Sequence, residues 1–309
     1  MPELPEVHSL VADLGARLVG RTIARFDVSS FAALKTFDPP VSALAGRTIS
    51  AVTRHGKFLD FVTSPASPPP ASGTGAAAST TAAEPELHLV LHLARAGWIR
   101  WREGPPPPPS GRPGKGALAA RLVLEGDEAG LDITEAGTKK SLALYLVRDP
   151  AEVPGIARLG PDPLEPEFTE EVFARILSGA GRSQIKGVLR NQGLIAGVGN
   201  AYSDEILHAA RMSPFKPAAM SPDEVASLYA SLQSTLRGAI DRADGLAASE
   251  LKREKKSGLQ VHGRTGEACP VCGDTVRQVT YADSSLQYCP TCQTGGKPLA
   301  DRVLSRLLK

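Results

Sequence analysis

The chain has 309 residues, 42% hydrophobic and 22% charged, values of a globular protein able to bury a core, and its length suggests two domains with room for a small third. Lys and Arg number 35 against 33 Asp and Glu, a formal net charge of +2 that by itself marks no nucleic-acid binder. No run approaches the ~20 apolar residues of a membrane span, which excludes a transmembrane protein, and MPELPEVHSL lacks the basic start and apolar run of a secretion signal, so the cytoplasm is the expected compartment.

From Glu6 to Leu18, apolar residues recur at Val7, Leu10, Val11, Leu14 and Leu18, the stripe of an amphipathic helix, with Pro5 and Glu6 suited to its first turn. Thr22–Val28, Thr48–Val62, His88–Trp101, Leu118–Leu124 and Ser141–Val147 are rich in β-branched and apolar residues and predict strands. One helix followed by many strands points to a β-sandwich and not to a parallel α/β sheet. Two inserts interrupt these strands: residues 64–86 are rich in Pro, Ala, Ser and Thr, and residues 104–116 contain five consecutive prolines. Neither carries enough apolar surface to order itself, so disordered loops are expected, with a polyproline ligand for a partner as the sharper alternative.

Gly160-Pro161-Asp162-Pro163 marks a boundary. Beyond it, Glu170–Leu177, Ser183–Gln192, Ala201–Ala210 and Pro222–Ile240 carry helical spacing. The basic stretch Lys252-Arg253-Glu254-Lys255-Lys256 leads into a cysteine segment in which Val276–Tyr281 and Leu286–Tyr288 can pair as a hairpin. The expected fold is α+β and multi-domain: a helix and β-sandwich over residues 1–150, a helical domain over 151–260 and a cysteine module over 261–309.

All four cysteines fall in two CxxC pairs, Cys269 with Cys272 and Cys289 with Cys292, separated by 16 residues. Without a secretion signal, that spacing is a metal site and not a disulfide framework. Four thiolates suit one tetrahedral, structural Zn²⁺ with no open position; an iron site of rubredoxin type is the alternative. At the other end, removal of Met1 is expected to leave Pro2 with a free secondary amine, which can attack an aldehyde-like carbon and form an iminium. Glu3 and Glu6 flank it and could serve as general acid and base, although a Pro2 start taken alone is common and inert. Lys57 follows a glycine at a strand end, where a lysine serves either as a solvated charge or as a point charge for phosphate.

Five segments in order then carry a family likeness. Pro2–Val7 (PELPEV), Arg54–Leu59 (RHGKFL), Leu159–Leu164 (LGPDPL), Ile185–Leu207 (IKGVLRNQGLIAGVGNAYSDEIL) and the cysteine segment together resemble the formamidopyrimidine-DNA glycosylase and endonuclease VIII family of base-excision repair enzymes. The resemblance implies a β-sandwich, a helix–two-turn–helix domain and a C-terminal zinc finger. It also implies a monomer, associated with the nucleoid, whose partner is damaged double-stranded DNA. In such an enzyme a flipped nucleotide is attacked by Pro2, the damaged base leaves, and β- then δ-elimination cut the strand. Glu3 is implied as the acid at the sugar ring, Glu6 as a positioner, and Lys57 as a phosphate contact that assists elimination. In GVGNAYSDE, Gly197 and Gly199 permit a tight turn that opens a helix near Asn200. The N–H groups of that helix start, with the Asn200 amide, are implied to hold a phosphate.

The chain also departs from the family pattern. The finger arginine expected five residues before the third cysteine is replaced by Ser284, between Asp283 and Ser285, so the phosphate clamp and the second elimination are in question. An extension carrying Lys297, Arg302 and Arg306 could restore some of that contact. Arg95 stands where many members place a methionine that fills the hole left by the flipped base; it either fills that hole or is solvated. The usual second filler segment is replaced by Thr134–Lys140, which offers Lys139 or Lys140. Gly245–Gly263 is shorter than in members that cap 8-oxoguanine, a lean towards oxidised pyrimidines or abasic sites. His8 is expected at the surface, and Trp98 and Trp101 in the core. The rival function is a damage- or abasic-site-binding protein with little glycosylase chemistry, with a lyase confined to existing abasic sites lying between.

Overall fold

In the computed structural model the described residues are 1–65, 85–107, 117–282 and 284–300. Most of both low-complexity inserts therefore lies outside them, as do Asp283, Arg302 and Arg306. The chain divides into two compact units. One comprises Met1–Pro2, Val7–Ala157 and Gly245–Ser249; the other comprises Glu3–Glu6, Arg158–Asp244 and the chain from Glu250 onward. Among the described residues no helix is long and apolar enough to cross a membrane.

The first unit opens with most of helix α1 (Leu4–Leu18), whose Val7, Leu10, Leu14 and Leu18 are wholly buried, the face that the sequence stripe predicts. Eight strands follow: β1 (Ile23–Val28), β2 (Thr48–His55), β3 (Phe58–Ser64), β4 (Leu87–His92), β5 (Gly97–Arg102), β6 (Leu118–Leu124), β7 (Gly130–Glu135) and β8 (Ala143–Val147). They form two four-stranded sheets, in the orders β1-β6-β7-β5 and β2-β3-β4-β8. Every pairing is antiparallel, as a β-sandwich requires. Strand β7 is not anticipated from the sequence, because Gly130 and Asp132 dilute its apolar run. Gly130 is what lets it start: a Cβ there would lie 2.0 Å from the Leu122 carbonyl oxygen on β6. The segment Gly245–Ser249 belongs to this unit and is hydrogen-bonded to it at Ala248. Trp98 Nε1 donates to Ala248 O at 3.1 Å, and Ala248 N donates to Asp13 Oδ2 at 3.0 Å.

On the sheet that contains β3 and β4, Phe58 pairs with His92, and their rings lie 4.6 Å apart. Burial, reinforced by the nearby charge of Lys57, pushes the His92 imidazole down to about 4 from its ordinary 6.5. An imidazole that resists protonation in the fold but accepts it in the unfolded chain couples stability to pH. Its contribution is intact above about 6.5 and is lost as the pH falls from there to about 4, where both states carry the proton. Between those limits about 3 kcal/mol should be lost. Urea denaturation at stepped pH should show this slope in the wild type and a flatter one in His92→Gln.

The second unit holds helices α2 (Glu170–Ala180), α3 (Ile185–Arg190), α4 (Asn200–Ala209), α5 (Pro222–Ala243) and α6 (Leu251–Gly258), a hairpin of β9 (Arg277–Thr280) and β10 (Ser285–Tyr288), and the short α7 (Pro290–Thr294). Phe168, Phe173, Leu177, Val188, Ile206 and Leu232 are among its buried core. The turn residues between α3 and α4 fold on themselves, with Leu194 N and Ile195 N both donating to Asn191 O at 2.9 Å. This is the helix–two-turn–helix element. Helix α6 was not expected, since the basic stretch shows no apolar stripe. Its single buried anchor is Leu251, and ion pairs supply the rest, among them Arg242 Nε with Glu254 Oε1 at 2.9 Å.

Candidate active site

Pro2 is buried, and the residue after it is fixed by the start of α4. Glu3, only 2% exposed, accepts three backbone N–H groups: Gly199 N at 2.7 Å and Tyr202 N at 3.2 Å on Oε2, and Ala201 N at 2.9 Å on Oε1. Helix α4 has no side-chain cap from its own N-cap, Gly199. A carboxylate 196 residues away in the chain therefore fills the place of the cap and meets the positive end of the helix. The two glycines of GVGN make room for it. A Cβ on Gly199 would lie 2.4 Å from Glu3 Cδ, and one on Gly197, where φ is +84°, would lie 2.6 Å from Leu4 Cβ. Leu4 N donates to Gly197 O at 3.0 Å, which adds a main-chain bond. Three of the helix-start N–H groups that the family resemblance implies for a phosphate, those of Gly199, Ala201 and Tyr202, are thus taken by Glu3.

Glu6 lies one turn further on and is 4% exposed. Its Oε2 accepts the Glu3 N–H at 2.8 Å and pairs with Lys255 Nζ at 2.6 Å; its Oε1 accepts the Tyr202 hydroxyl at 2.6 Å. Burial and the adjacent Glu6 charge push the Tyr202 phenol well above its ordinary range, so it stays a donor. Asn200 donates through Nδ2 to Ser285 O of the hairpin at 2.7 Å, while its Oδ1 is buried without a hydrogen-bond partner.

Polar groups the sequence reading passed over hold α4 in place. Lys186 Nζ donates to Asp204 Oδ1 at 2.6 Å, Ser203 Oγ at 2.7 Å and Asn200 O at 3.1 Å. Asp204 Oδ2 meets His262 Nδ1 at 2.7 Å and accepts from Gln287 N at 3.2 Å. Glu205 accepts the N–H groups of Gln260, Val261 and His262 at 2.7 to 3.0 Å. The signal was available: a lysine inside the run Ile185–Leu189 and an acidic pair inside a helix otherwise flanked by apolar residues.

In the first unit, Lys57 sits in the two-residue turn closed by the His55–Phe58 pair, with Gly56 at φ +55° in its first position. At 8% exposure it is not a solvated strand lysine. Arg95 tops the turn between β4 and β5; it is exposed, and its guanidinium has no partner among the described residues. Lys139 and Lys140 lie on the loop between β7 and β8, which Glu135 closes by accepting Ser141 N and Leu142 N at 2.7 and 2.9 Å. Lys140 Nζ donates to Glu135 O at 2.5 Å, whereas Lys139 is exposed. The two loops adjoin, since Ala136 N donates to Ala96 O at 3.2 Å.

The sulfurs of Cys269, Cys272, Cys289 and Cys292 lie within 4.8 Å of one another and form no disulfide. Four thiols converging in this way fit a soft, four-coordinate cation. His208 on α4 places Nε2 3.3 Å from Cys269 Sγ.

Three family models match the chain. They are the formamidopyrimidine-DNA glycosylase N-terminal domain over residues 1–136, the formamidopyrimidine-DNA glycosylase H2TH domain over 159–250, and the zinc finger found in FPG and IleRS over 266–295. A formamidopyrimidine-DNA glycosylase of Symbiobacterium thermophilum is 34% identical over 303 residues, covering 95% of this chain and 89% of that protein. The crystal structure of the MutM (Fpg) protein of Thermus thermophilus superposes with a TM-score of 0.72 at 32% identity, over 96% of this chain and all of that one. The Lactococcus lactis Fpg bound non-covalently to DNA containing an abasic site superposes with a TM-score of 0.73 at 25% identity, over 94% and 99% of the two chains.

Gly199→Ala should force the Glu3 carboxylate off α4. The expected loss is about 3 kcal/mol, from two or three charged hydrogen bonds. Gly179→Ala, in α2 with nothing within 4 Å of the added Cβ, should be neutral or mildly stabilising. Urea denaturation of both variants checks the contrast.

Proposed function

The chain belongs to the formamidopyrimidine-DNA glycosylase family, and on that footing we propose that it is a bifunctional base-excision repair enzyme, a DNA glycosylase and abasic-site lyase acting through Pro2. The observation that best supports this reading is the capture of the adjacent Glu3 by three N–H groups at the start of α4, with its own N–H held by Glu6. Glu3 is thereby held by both its side chain and its own N–H, which restrains the peptide that joins it to Pro2 and with it the presentation of an amine there.

With Met1 removed, the Pro2 nitrogen attacks C1′ of a flipped nucleotide. The bond from C1′ to the damaged base breaks, and the base leaves with the electron pair and gains a proton. The nitrogen loses its proton, the bond from C1′ to the ring oxygen breaks to give the iminium, and the ring oxygen is released as a hydroxyl on a proton delivered by Glu3. The iminium acidifies C2′, whose proton loss expels the 3′ phosphate by β-elimination; a second, δ-elimination at the 5′ phosphate is the step that Ser284, in place of the finger arginine, leaves without its usual clamp. Lys57 contacts phosphate and assists the elimination. The Asn200 amide has a second N–H beyond the one given to Ser285, and that donor suits a phosphate oxygen. Arg95 and Lys139, on adjoining loops, supply cations for the hole left by the flipped base, while Lys140 is engaged by its own loop. The partner is damaged duplex DNA, met by a monomer in the cytoplasm. The four cysteines would hold one structural Zn²⁺ per chain, which would supply folding stability and take no part in the reaction.

Borohydride trapping on duplexes containing thymine glycol, 8-oxoguanine or an abasic site tests the reading. A covalent complex that forms with the wild type and not with Pro2→Gly is expected, and the duplex that traps names the lesion class. Trapping on the abasic duplex alone would reduce the enzyme to a lyase. Tight lesion-dependent binding with no trapping would overturn the enzyme reading in favour of a damage-binding protein. Elemental analysis of the same protein should give one zinc per chain and no iron.

A further inference from the structure

Helix α6 puts one charge where the mechanism needs order. Of the charged run Lys252–Lys256, Arg253 pairs locally with Glu250, and Glu254 pairs with Arg242, which fastens α6 to α5. Lys255 turns inward instead. Its Nζ lies 2.6 Å from Glu6 Oε2, with both side chains largely buried, and 4.7 Å from the centroid of the Tyr202 ring. Glu6 Oε2 is the same oxygen that accepts the Glu3 N–H. Glu3 and Glu6 are two buried carboxylates three residues apart, and the other buried cation nearby, Lys186, is committed to Asp204. Without Lys255, Glu6 would be a buried charge with only neutral donors, an arrangement that favours rotation towards water. The cation–π contact adds a second restraint, because the same ammonium holds the ring whose hydroxyl binds Glu6 Oε1.

We infer that Lys255 is a positioning residue for the reaction: through Glu6 it fixes the Glu3 amide, and with it the peptide that carries Pro2. The inference rests on the Pro2 reading given above. It assigns to α6 a part in catalysis that does not pass through DNA contact. A lysine serving DNA would change affinity, and a lysine serving only the fold would change stability; a positioning lysine changes the rate of iminium formation at unchanged affinity.

The test compares Lys255→Met, Lys255→Arg, Glu6→Gln and the Glu6→Gln/Lys255→Met double variant. Single-turnover borohydride trapping on an abasic duplex gives the rate, binding to a duplex with a tetrahydrofuran abasic analogue gives Kd, and hydrogen–deuterium exchange of the N-terminal peptide reports the Glu3 amide. Lys255→Met should slow trapping by at least about 10-fold, hold Kd within about 3-fold and speed Glu3 exchange. Lys255→Arg should recover most of the rate, and Lys255→Met should add little in the Glu6→Gln background. An unchanged trapping rate in Lys255→Met, a Kd that weakens in step with the rate, or an equal loss in the Glu6→Gln background would each overturn the inference. Absence of trapping by the wild type would overturn the Pro2 reading instead. In that case the exchange measurement decides separately, since unchanged Glu3 exchange in Lys255→Met removes the positioning role.

Discussion

The contact on which the second unit depends is a carboxylate at a helix end. Helix α4 begins at a glycine that offers no cap, and its first N–H groups would be orphaned in a buried setting. Glu3 satisfies three of them and is itself stabilised by the helix dipole. Each partner needs the other. The helix end gains its cap, and the start of the chain gains a fixed seat. Gly197 and Gly199 are small because Leu4 and Glu3 occupy the space their side chains would fill.

From that seat the polar connections run outward along α4. Asp204 joins the helix to Lys186 on α3, to His262 and to the hairpin at Gln287. Glu205 ties down the backbone at Gln260–His262, and His208 reaches Cys269. Buried ionic groups of this kind are weak sources of net stability, but removing one partner leaves a costly unpaired charge. The network therefore specifies geometry more than it adds stability. A metal at the four cysteines would brace the far end of the same network that Glu3 braces at the near end.

Much of this was legible in the sequence, and the rest was not for physical reasons. The α1 stripe, helices α2, α3 and α5 and the hairpin follow from periodicity because each buries one face, and most strand regions are legible too, although Thr48–Val62 and His88–Trp101 each divide into two strands; α4, buried along most of its length, follows from its helical spacing. Strand β7 escaped because a glycine required by close approach to β6 breaks its pattern. Helix α6 escaped because ion pairs with residues far along the chain hold it, and periodicity records only burial. Glu3 and Glu6 could be named from the motif around them, but their partners could not, since a bond between Glu3 and Gly199 spans nearly two hundred residues. The sequence shows the glycines of GVGN as a turn device; their larger part, making way for another segment's side chain, is invisible without the fold. Asn200 was assigned to a phosphate, and its contact with Ser285 depends on a hairpin whose docking no local pattern encodes.

Eight consecutive residues of α4, Ala201 to His208, are buried. A helix of a globular protein ordinarily keeps a wet face on which substitutions accumulate at little cost. Between Ala201 and His208 this one has none, so that stretch has no neutral positions through which to drift. Change along it must come in compensated pairs, a new side chain on α4 matched by one on α3, on the finger or at the start of the chain. Room for change lies instead in the loops bearing Arg95 and Lys139, where a new side chain meets solvent before it meets the core.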